Sequence, residues 1–586
     1  MVNHLLSIYK KNPAAYLLLG VCLTVQTPRL WGQHRASSKP NVIVILTDDM
    51  GYSDIGCYGS EIRTPNIDRL ASNGLRFTQF YNTARCSPSR ASLLTGLYPH
   101  QAAMGHLSTE NFAQPGYADD LSKQAVTLAE VFKEAGYSTY MTGKWHVSKN
   151  MKASGDMSNW PIQRGFQRYF GTLNGSGSFY DPGTLISNNT FIAPPKSFYY
   201  TDAISDTSVK FINEHPSGKP FFFYIAYTAA HWPIQAPAAA VQKYNGLYDV
   251  GWDTVRQRRF DKLKKLGIIS SQAQLTARGV SINEWEKEPL KAWQVRRMEV
   301  YAAMIDVMDQ GIGRILSALE ARGELENTLI FYLHDNGGCA ETLNSHQPEI
   351  PPTEEQQQGK LYAADSIFSG KQPVYTRSGR FIRSGKGVMP GPDSSWVAYG
   401  EEWANVSNTP FRLYKHWVHE GGIATPLIVH WPAGISAKGE LRKQPGHLID
   451  IMATCLSAAR IGYPEVYNGQ TIQPYAGTSL LPAFSNLALP REVIFWEHEG
   501  NRAIRIGDWK LVARTMKNKV FTEADQDQWE LYDLKQDPSE TMNLATQYPE
   551  KVKEMTSKWE AEAIRTKAKP WPWSAPRNEQ KTNPSL

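Results

Sequence analysis

The chain has 586 residues and a formal net charge of +6, because 62 Lys and Arg residues outnumber 56 Asp and Glu residues. This length exceeds one typical domain and is sufficient for a large buried core. With 41% hydrophobic and 20% charged residues, the composition is that of an ordinary globular protein. The sequence has no basic stripe of the kind that nucleic-acid binders carry, which excludes that class.

Residues 1–35 have the pattern of an export signal. Lys10 and Lys11 form a basic start, and an apolar run over residues 14–25 follows. That run is too short to span a bilayer comfortably, and no second run of about twenty apolar residues occurs later. We therefore expect an exported protein, periplasmic or secreted, with no membrane span in the mature chain. Cys22 raises the alternative of a lipoprotein, which the residue before it does not favour.

Strand and helix patterns alternate along the mature chain. Residues 41–46 form a continuous, largely β-branched run, as expected of a strand that is buried on both faces. The elements predicted after it are helices over residues 64–73 and 127–135, strands over 137–141 and 221–227, a helix over 293–321, strands over 328–333 and 426–431, and a helix over 447–459. This alternation predicts an α/β fold with a large, mostly parallel central sheet flanked by helices.

The pattern changes near residue 485. Three short strands and a last helix are predicted beyond it, over residues 493–496, 503–506, 510–513 and 549–564. We therefore expect a main α/β domain over residues 36–485 and a C-terminal subdomain over residues 486–586, made of a small antiparallel sheet plus a helix. Within the main domain, residues 341–410 form a long polar insertion. It is either a loop that covers or shapes a site or a disordered surface loop.

Polar side chains follow four of the predicted strands where each strand ends. They are Asp48 and Asp49, Lys144 and His146, His231, and Asp335 and Asn336. Because ligands bind at the carboxyl ends of parallel strands, we expect these groups to meet in one site. The three carboxylates and one amide provide only oxygen ligands, which suits Ca²⁺ or Mg²⁺ and not zinc. Calcium is favoured because it tolerates irregular geometry, and magnesium is the alternative.

The segment Cys-Ser-Pro-Ser-Arg, from Cys86 to Arg90, carries the strongest local signal. Pro88 can begin a helix, which would put Cys86 at a helix N-terminus, where negative charge is stabilised. From the residues alone, Cys86 is either a thiolate nucleophile or a buried structural cysteine.

Together these motifs resemble the type I sulfatase family of the alkaline phosphatase superfamily. Cys86 to Arg90 matches the family signature Cys-x-Pro-x-Arg, and residues 93–96, Leu-Leu-Thr-Gly, match its continuation. Further blocks match in family order at residues 48–54, 143–146, 231–233, 335–338 and 415–422. The resemblance covers about residues 40–570 and implies an alkaline phosphatase-like fold.

The resemblance also implies the nucleophile and the metal. A formylglycine-generating or sulfatase-maturating enzyme would oxidise Cys86 to Cα-formylglycine. One calcium ion would bind between this residue and the oxygens of Asp48, Asp49, Asp335 and Asn336.

Roles for the other matching side chains follow from the same resemblance. Arg90 would hold the formylglycine hydrate with help from Lys144, and Lys144 and Lys415 would bind sulfate oxygens. His146 would contact the hydrate, and His231 would contact the leaving oxygen and act as a general acid.

Three further positions are assigned with less guidance from motifs. His498 in the C-terminal subdomain is predicted to contact substrate, because this subdomain approaches the cleft in the family. A family serine in the loop after a Gly-Phe segment has two candidates here, Ser176 and Ser178. His416, next to Lys415, is expected to have a surface or packing role.

The predicted reaction is hydrolysis of a sulfate monoester to alcohol and inorganic sulfate through a covalent formylglycine-sulfate hemiacetal. The expected substrate is a sulfated carbohydrate, with an aryl sulfate as the alternative. Two other functions stay open. One is a phosphodiesterase or phosphonate monoester hydrolase of the same superfamily, which the lack of a histidine-rich pair for a second metal ion at the strand ends does not favour. The other is a non-catalytic protein that binds sulfated glycans, which the intact catalytic positions do not favour.

Overall fold

The computed structural model of the protein describes residues 39–363, 366–368, 372–514 and 528–572. The predicted export signal, residues 1–35, lies outside these residues, so it stays a prediction. Within the described part of the chain, no helix combines the length and the apolar character needed to cross a lipid bilayer.

The regular elements of the described residues are strands and helices, each numbered in chain order. The strands are β1 (Asn41–Thr47), β2 (Leu75–Tyr81), β3 (Ser138–Lys144), β4 (Arg168–Thr172), β5 (Leu185–Ser187), β6 (Thr190–Phe191), β7 (Phe221–Ala226), β8 (Thr328–His334), β9 (Ala424–His430), β10 (Glu440–Arg442), β11 (Gly446–His447), β12 (Val466–Tyr467), β13 (Gln470–Thr471), β14 (Val493–His498), β15 (Asn501–Ile506), β16 (Trp509–Ala513) and β17 (Trp529–Asp533). The helices are α1 (Pro65–Ser72), α2 (Cys86–Thr95), α3 (Leu128–Glu134), α4 (Tyr200–Asn213), α5 (Ala238–Gln242), α6 (Gly251–Lys265), α7 (Lys291–Ala321), α8 (Glu354–Gln358), α9 (Gly400–Ser407), α10 (Glu420–Ile423), α11 (Asp450–Ala459), α12 (Leu481–Phe484) and α13 (Pro549–Arg565).

One large sheet organises the main part of the molecule. Its strand order is β10-β2-β9-β8-β1-β7-β3-β4-β5-β6, with β11 also paired to β2. The five strands from β8 to β4 run parallel to one another, whereas β9 is antiparallel to both β8 and β2. A separate four-stranded antiparallel sheet, β14-β15-β16-β17, follows toward the C-terminus. The predicted fold class is therefore confirmed.

Strand β1 is buried on both faces, which explains its run of apolar residues. Val44 and its even-numbered neighbours pack in one core layer together with residues of α2, α3 and α11. Ile43 and Ile45 pack in the other layer with residues of α4 and α7. Fully burying an aliphatic side chain of this size stabilises the fold by about 1.5–3 kcal/mol. The two layers thus fix β1, and with it the position of the residues that follow.

Three differences from the predicted elements have local causes. Strand β2 was not predicted, because its sequence mixes apolar residues with Arg76, Thr78 and Gln79 and it is only partly buried. Strand β3 continues to Lys144, beyond the predicted end at residue 141. Helix α11 begins at Asp450 rather than near residue 447, because His447 pairs with β2 instead.

The C-terminal sheet packs on helix α13 and also reaches the main domain. On one face, Phe495 and Ile504 share a core with Trp559 of α13. On the other, Trp496 lies in the core of the main domain, and its Nε1–H donates to the carbonyl oxygen of Asn82 at 2.8 Å. The small sheet is therefore held against the segment that leads into Cys86.

Candidate active site

The four predicted polar clusters follow strands that are neighbours in the sheet. Strands β8, β1, β7 and β3 are consecutive and parallel, so their carboxyl ends share one edge. The loop after β7 is fastened to the end of β1, because Asp48 N–H donates to Ala229 O at 3.0 Å and Ala230 N–H donates to Asp48 O at 2.7 Å. This pairing brings His231 beside the carboxylates.

The oxygen-bearing side chains at these strand ends form one buried cluster. Asn336 Nδ2 donates to Asp49 Oδ1 at 2.7 Å, and the backbone N–H of Asp49 donates to Asp335 Oδ1 at 3.3 Å. All four predicted ligands, including Asp48, are fully buried. Asp49 also adopts a left-handed backbone, with φ at 57°, a conformation that is uncommon for residues other than Gly and concentrates at functional sites.

Three cations surround the three carboxylates. Lys144 Nζ lies 2.6 Å from Asp48 Oδ2, and Lys415 Nζ lies 2.7 Å from Asp49 Oδ1. The Arg90 guanidinium lies 2.8 Å from Asp335 Oδ2 and 3.5 Å from Asp48 Oδ2. Burial alone would raise the pKa of Asp49, but His231, Lys415 and Lys144 outweigh it and hold that pKa well below its ordinary value.

The donor set fits a hard divalent cation. Asp48 Oδ1 and Asn336 Oδ1 are buried and accept no hydrogen bond within the described residues, although buried polar atoms are ordinarily satisfied. Burial, followed by the neighbouring Asp48 carboxylate, raises the pKa of Asp335 to about 7. A bound Ca²⁺ or Mg²⁺ would supply a partner for both oxygens and would favour the charged form of Asp335.

Cys86 is the first residue of helix α2 and is 3% exposed. Arg90 lies four residues later, on the same face of the helix. Its guanidinium also donates to the carbonyl oxygen of Lys144 at 3.1 Å, so α2 is anchored to the end of β3 as well as to Asp335. The predicted position of Cys86 at a helix N-terminus is confirmed, although the helix begins at Cys86 itself and Pro88 is its third residue.

His231 is held in one tautomer. Its Nδ1 lies 2.6 Å from the carbonyl oxygen of Trp232, which can only accept, so Nδ1 carries the proton. Nε2 then faces Lys415 Nζ at 3.4 Å and Asp49 Oδ2 at 3.3 Å. Burial, with Lys415 and Lys144 nearby, lowers the pKa of His231 to about 3 against the opposing effect of Asp49.

His146 lies beyond the end of β3 with a left-handed backbone, φ 55°. Burial, followed by the charges of Lys144 and Arg90, lowers its pKa well below the ordinary value. A Cβ at Gly175 would lie 2.3 Å from its ring, so the loop after β4 packs directly on His146. This loop contains both serine candidates. Ser178 is occupied elsewhere, because its hydroxyl donates to a buried glutamine at 3.0 Å, which leaves Ser176 as the candidate nearer to solvent.

Two parts of the long insertion pack beside the site. Trp396 is buried, and its ring centroid lies 6.4 Å from that of Trp232, the neighbour of His231. Glu341, at the start of the insertion, accepts from Trp232 Nε1 at 2.7 Å and from Arg85 at 3.0 Å. The alternative that residues 341–410 shape the site is therefore favoured for this part of the insertion.

His498 lies in a second cluster that sequence analysis did not find. Its ring stacks on His106 with centroids 5.6 Å apart and meets His416 edge-on at 5.5 Å. Glu499 joins them through His106 Nε2 at 2.6 Å and His416 Nδ1 at 3.2 Å. His498 is 1% exposed, and its predicted contact with substrate stays a prediction. No motif marks His106 or Glu499, so the sequence carried no signal for this cluster.

Comparison with known proteins identifies the family. The Sulfatase family profile matches residues 40–461, and the profile described as N-sulphoglucosamine sulphohydrolase, C-terminal, matches residues 411–568. An arylsulfatase of Klebsiella aerogenes is 34% identical over 466 residues, which cover 77% of this chain and 93% of the relative. An N-acetylglucosamine-6-O-sulfatase of Bacteroides thetaiotaomicron is 24% identical, and the match covers 94% of this chain and 91% of the relative.

A solved structure agrees with this assignment at the level of the fold. Ps i-CgsB, in complex with k-i-k-neocarrahexaose, superposes with a TM-score of 0.62 at 22% identity, covering 93% of this chain and 97% of that one. Sulfatases typically use a metal ion and a formylglycine, and the buried acidic cluster around Asp48 and Asp49 is a possible metal site. The chain belongs to the sulfatase family and is a sulfuric ester hydrolase.

Proposed function

We propose that this sulfatase removes sulfate from sulfated carbohydrates, with Cys86 converted to formylglycine and Ca²⁺ as its metal. The observation that carries the proposal is the convergence of four oxygen ligands with two unpartnered oxygens, on Asp48 and Asn336, below a helix that begins at Cys86. We further propose that a formylglycine-generating or sulfatase-maturating enzyme performs the conversion.

The carbohydrate assignment has two supports. The Bacteroides relative is named for a sulfated amino sugar, and the superposed structure holds an oligosaccharide. In addition, Trp232 and Trp396 lie together beside His231, and aromatic rings with one polar edge suit amphipathic ligands. Aryl sulfates are the competing class, since the Klebsiella relative is named an arylsulfatase.

Charge balance explains how the chain would hold a sulfate ester. Three buried carboxylates face three buried cations, and a bound divalent cation supplies further positive charge that polarises oxygen and stabilises charge in the transition state. The site would then carry an excess of positive charge that matches the anionic ester. Lys144 and Lys415 are the two lysines of the set, and we assign them to the sulfate oxygens. Arg90, pinned between Asp335 and Asp48, holds residue 86 in place.

Two histidines are placed to move protons. His231 keeps its Nδ1–H on the Trp232 carbonyl, so only Nε2 can exchange a proton with an ester oxygen, and Lys415 lies beside it. We assign His231 to the leaving oxygen as a general acid that must first be protonated at Nε2. His146 is kept neutral by burial, which suits a base that accepts a proton from the hydrated residue 86.

We also propose that the protein acts outside the cytoplasm, periplasmic or secreted, on the pattern of residues 1–35. Expression of the full chain followed by fractionation and N-terminal sequencing tests this. A mature protein that keeps its first 35 residues in the cytoplasm would contradict it.

The decisive experiment uses the full chain coexpressed with a formylglycine-generating enzyme. Trypsin cuts after Arg85 and Arg90, so the pentapeptide that starts at residue 86 reports the conversion by mass. The converted protein is then offered defined sulfated mono- and oligosaccharides and aryl sulfates, with Cys86→Ala as control, and released sulfate is measured. We expect release from at least one sugar and none from the control.

The outcomes separate the parts of the proposal. If only aryl sulfates are hydrolysed, the carbohydrate assignment fails and the site chemistry stands. If fully converted protein releases no sulfate from any ester, the assigned chemistry fails. Activity that returns with Mg²⁺ and not with Ca²⁺ after removal of metal would replace the proposed ion.

A further inference from the structure

Four side chains from three separate segments form a histidine cluster outside the carboxylate site: His106, His416, His498 and Glu499. His106 lies in the segment between α2 and α3, His416 directly follows Lys415, and the other two lie at the turn between β14 and β15. Glu499 is the centre of the cluster. Its Oε1 lies 2.6 Å from His106 Nε2 and 3.8 Å from His498 Nε2, and its Oε2 lies 3.2 Å from His416 Nδ1.

His498 is the member that packing alone does not explain. It is 1% exposed, and within the described residues neither of its ring nitrogens has a hydrogen-bond partner. The 3.8 Å separation from Glu499 is too long for a hydrogen bond. Leaving a buried polar group unsatisfied costs about 1–3 kcal/mol, so an imidazole buried in this way points to a ligand.

We propose that this cluster binds one divalent transition metal of the zinc class, with His106, His498 and Glu499 as ligands. One ligand atom from each of the three lies within 4.8 Å of the others. In a tetrahedral zinc site with bonds of about 2.1 Å, ligand atoms lie roughly 3.4 Å apart. Binding of the metal by all three therefore requires Glu499 to withdraw from His106 and to approach His498.

The chemistry of the cluster separates it from the carboxylate site. Imidazole nitrogens with one carboxylate select zinc and its neighbours in the first transition row, whereas oxygens alone select calcium or magnesium. Zinc also requires deprotonated ligands. Burial lowers the pKa of His498 well below its ordinary value. Burial would raise the pKa of Glu499, but His106, His498 and His416 hold it well below the ordinary range.

His416 has a different role in this proposal. It contacts the second oxygen of Glu499, so it orients the carboxylate rather than binding the metal. Its backbone N–H donates to Ala84 O at 2.8 Å, two residues before Cys86. A metal at the cluster would therefore tie the C-terminal sheet to the segments that carry Lys415 and Cys86, whatever the substrate and the metal of the carboxylate site.

Zinc binding by the full chain tests the proposal directly. The parent is the Cys86→Ala protein, which has no thiol at position 86, and excess calcium is present to fill the carboxylate site. After metal removal and addition of zinc, bound metal is measured by mass spectrometry, and affinity by competition with a chromophoric chelator. We expect one zinc per chain, and visible absorption bands of four-coordinate Co²⁺ when cobalt replaces zinc.

Four variants of this parent locate the bound ion. His498→Gln and His106→Gln, which change two different segments, should each weaken zinc binding by more than about 100-fold, and His416→Ala by about 10- to 100-fold, the usual range for a residue that orients a ligand. The matched control is His430→Gln, because His430 is also buried and has a ring nitrogen without a partner within the described residues. It should bind zinc as the parent does.

Stability provides a readout that does not depend on activity. Zinc should raise the Tm of the parent and of His430→Gln but not of His498→Gln, since a ligand stabilises only the state that binds it. Unfolding curves without zinc show that each variant is folded. A parent that binds no zinc, ligand variants that bind it as tightly as the parent, or a control that weakens binding equally would each overturn the proposal.

Discussion

The carboxylate site and the histidine cluster are both buried and both contain groups that can bind a metal ion, but their residues come from different kinds of structural element. The carboxylate site takes its groups from the ends of adjacent parallel strands, at Asp48, Lys144 and Asp335, so the sheet fixes their spacing. The histidine cluster takes His106 and His416 from irregular segments and His498 from the edge of a hairpin. The first arrangement depends on the sheet, whereas the second joins three segments that are far apart in the chain.

The largest expected effect is on the rate of sulfate release, and it distinguishes the carboxylate site from the histidine cluster. Cys86→Ala should lower the rate of sulfate release by more than about 10⁴-fold, since a single general acid or base contributes about 10²- to 10⁴-fold and the nucleophile contributes more. Zinc binding by the histidine cluster should be unchanged in the same variant. Single-turnover sulfate release and zinc titration on one preparation measure both. Loss of both properties together would show that the two regions are one site.

Loss of His231 should reduce turnover by about 10²- to 10⁴-fold, with a size that depends on the leaving group. If Nε2 protonates the departing oxygen, His231→Gln should harm an ester of a basic alcohol more than an aryl sulfate whose phenol leaves readily. Rates on a series of aryl sulfates of increasing phenol pKa test this. Equal losses across the series would assign His231 to binding instead.

The sequence predicted the carboxylate site because its acidic and amide residues directly follow buried strands. An apolar run such as residues 41–46 marks the strand, and the sheet then determines where Asp48 and Asp49 lie. The sheet order β8-β1-β7-β3 needed the structure, but the meeting of the strand ends did not.

What the sequence could not predict depends on loops. His106 lies nearly 400 positions from Glu499 in the chain, and neither belongs to a periodic element that would place it. For the same reason the sequence could not choose between Ser176 and Ser178, and only the structure shows that the Ser178 hydroxyl donates to Gln235. Strand β2 was missed because Arg76 and Thr78 interrupt its apolar residues, and these side chains donate to the backbone carbonyl oxygens of Cys57 and Arg442.

Two buried lysines, Lys415 and Lys510, allow the carboxylate site to be compared with the C-terminal sheet. Lys415→Met should lower kcat/KM by about 10²- to 10³-fold, the usual loss when one group that stabilises transition-state charge is removed. The matched control is Lys510→Met in the C-terminal sheet, where Lys510 is equally buried between Glu420 and Glu540 at 2.7 and 2.8 Å.

Both substitutions break a buried ion pair, which costs about 3–5 kcal/mol of stability. Only Lys415 faces the carboxylate site, through Asp49. Kinetics below the unfolding temperature should therefore show a large loss for Lys415→Met and near-normal turnover for Lys510→Met. A comparable loss in both would mean that stability, not charge at the site, controls the rate.

The smallest expected effect is on the free energy of unfolding alone, and it serves as a reference for the other predictions. Helix α3 begins with a capping box in which Thr127 Oγ1 accepts from Glu130 N–H and the Glu130 carboxylate accepts from Thr127 N–H at 2.7 Å. Thr127→Ala should lower the free energy of unfolding by about 1 kcal/mol, and denaturant titration measures it. Thr353 forms the same box on the short, exposed helix α8, so Thr353→Ala should cost less, because little tertiary packing depends on that helix. Neither change touches the carboxylate site or the histidine cluster. We therefore expect turnover and zinc affinity to be unchanged in Thr127→Ala. If both fell together with the free energy of unfolding, the two regions would depend on the stability of the whole fold rather than on their own residues.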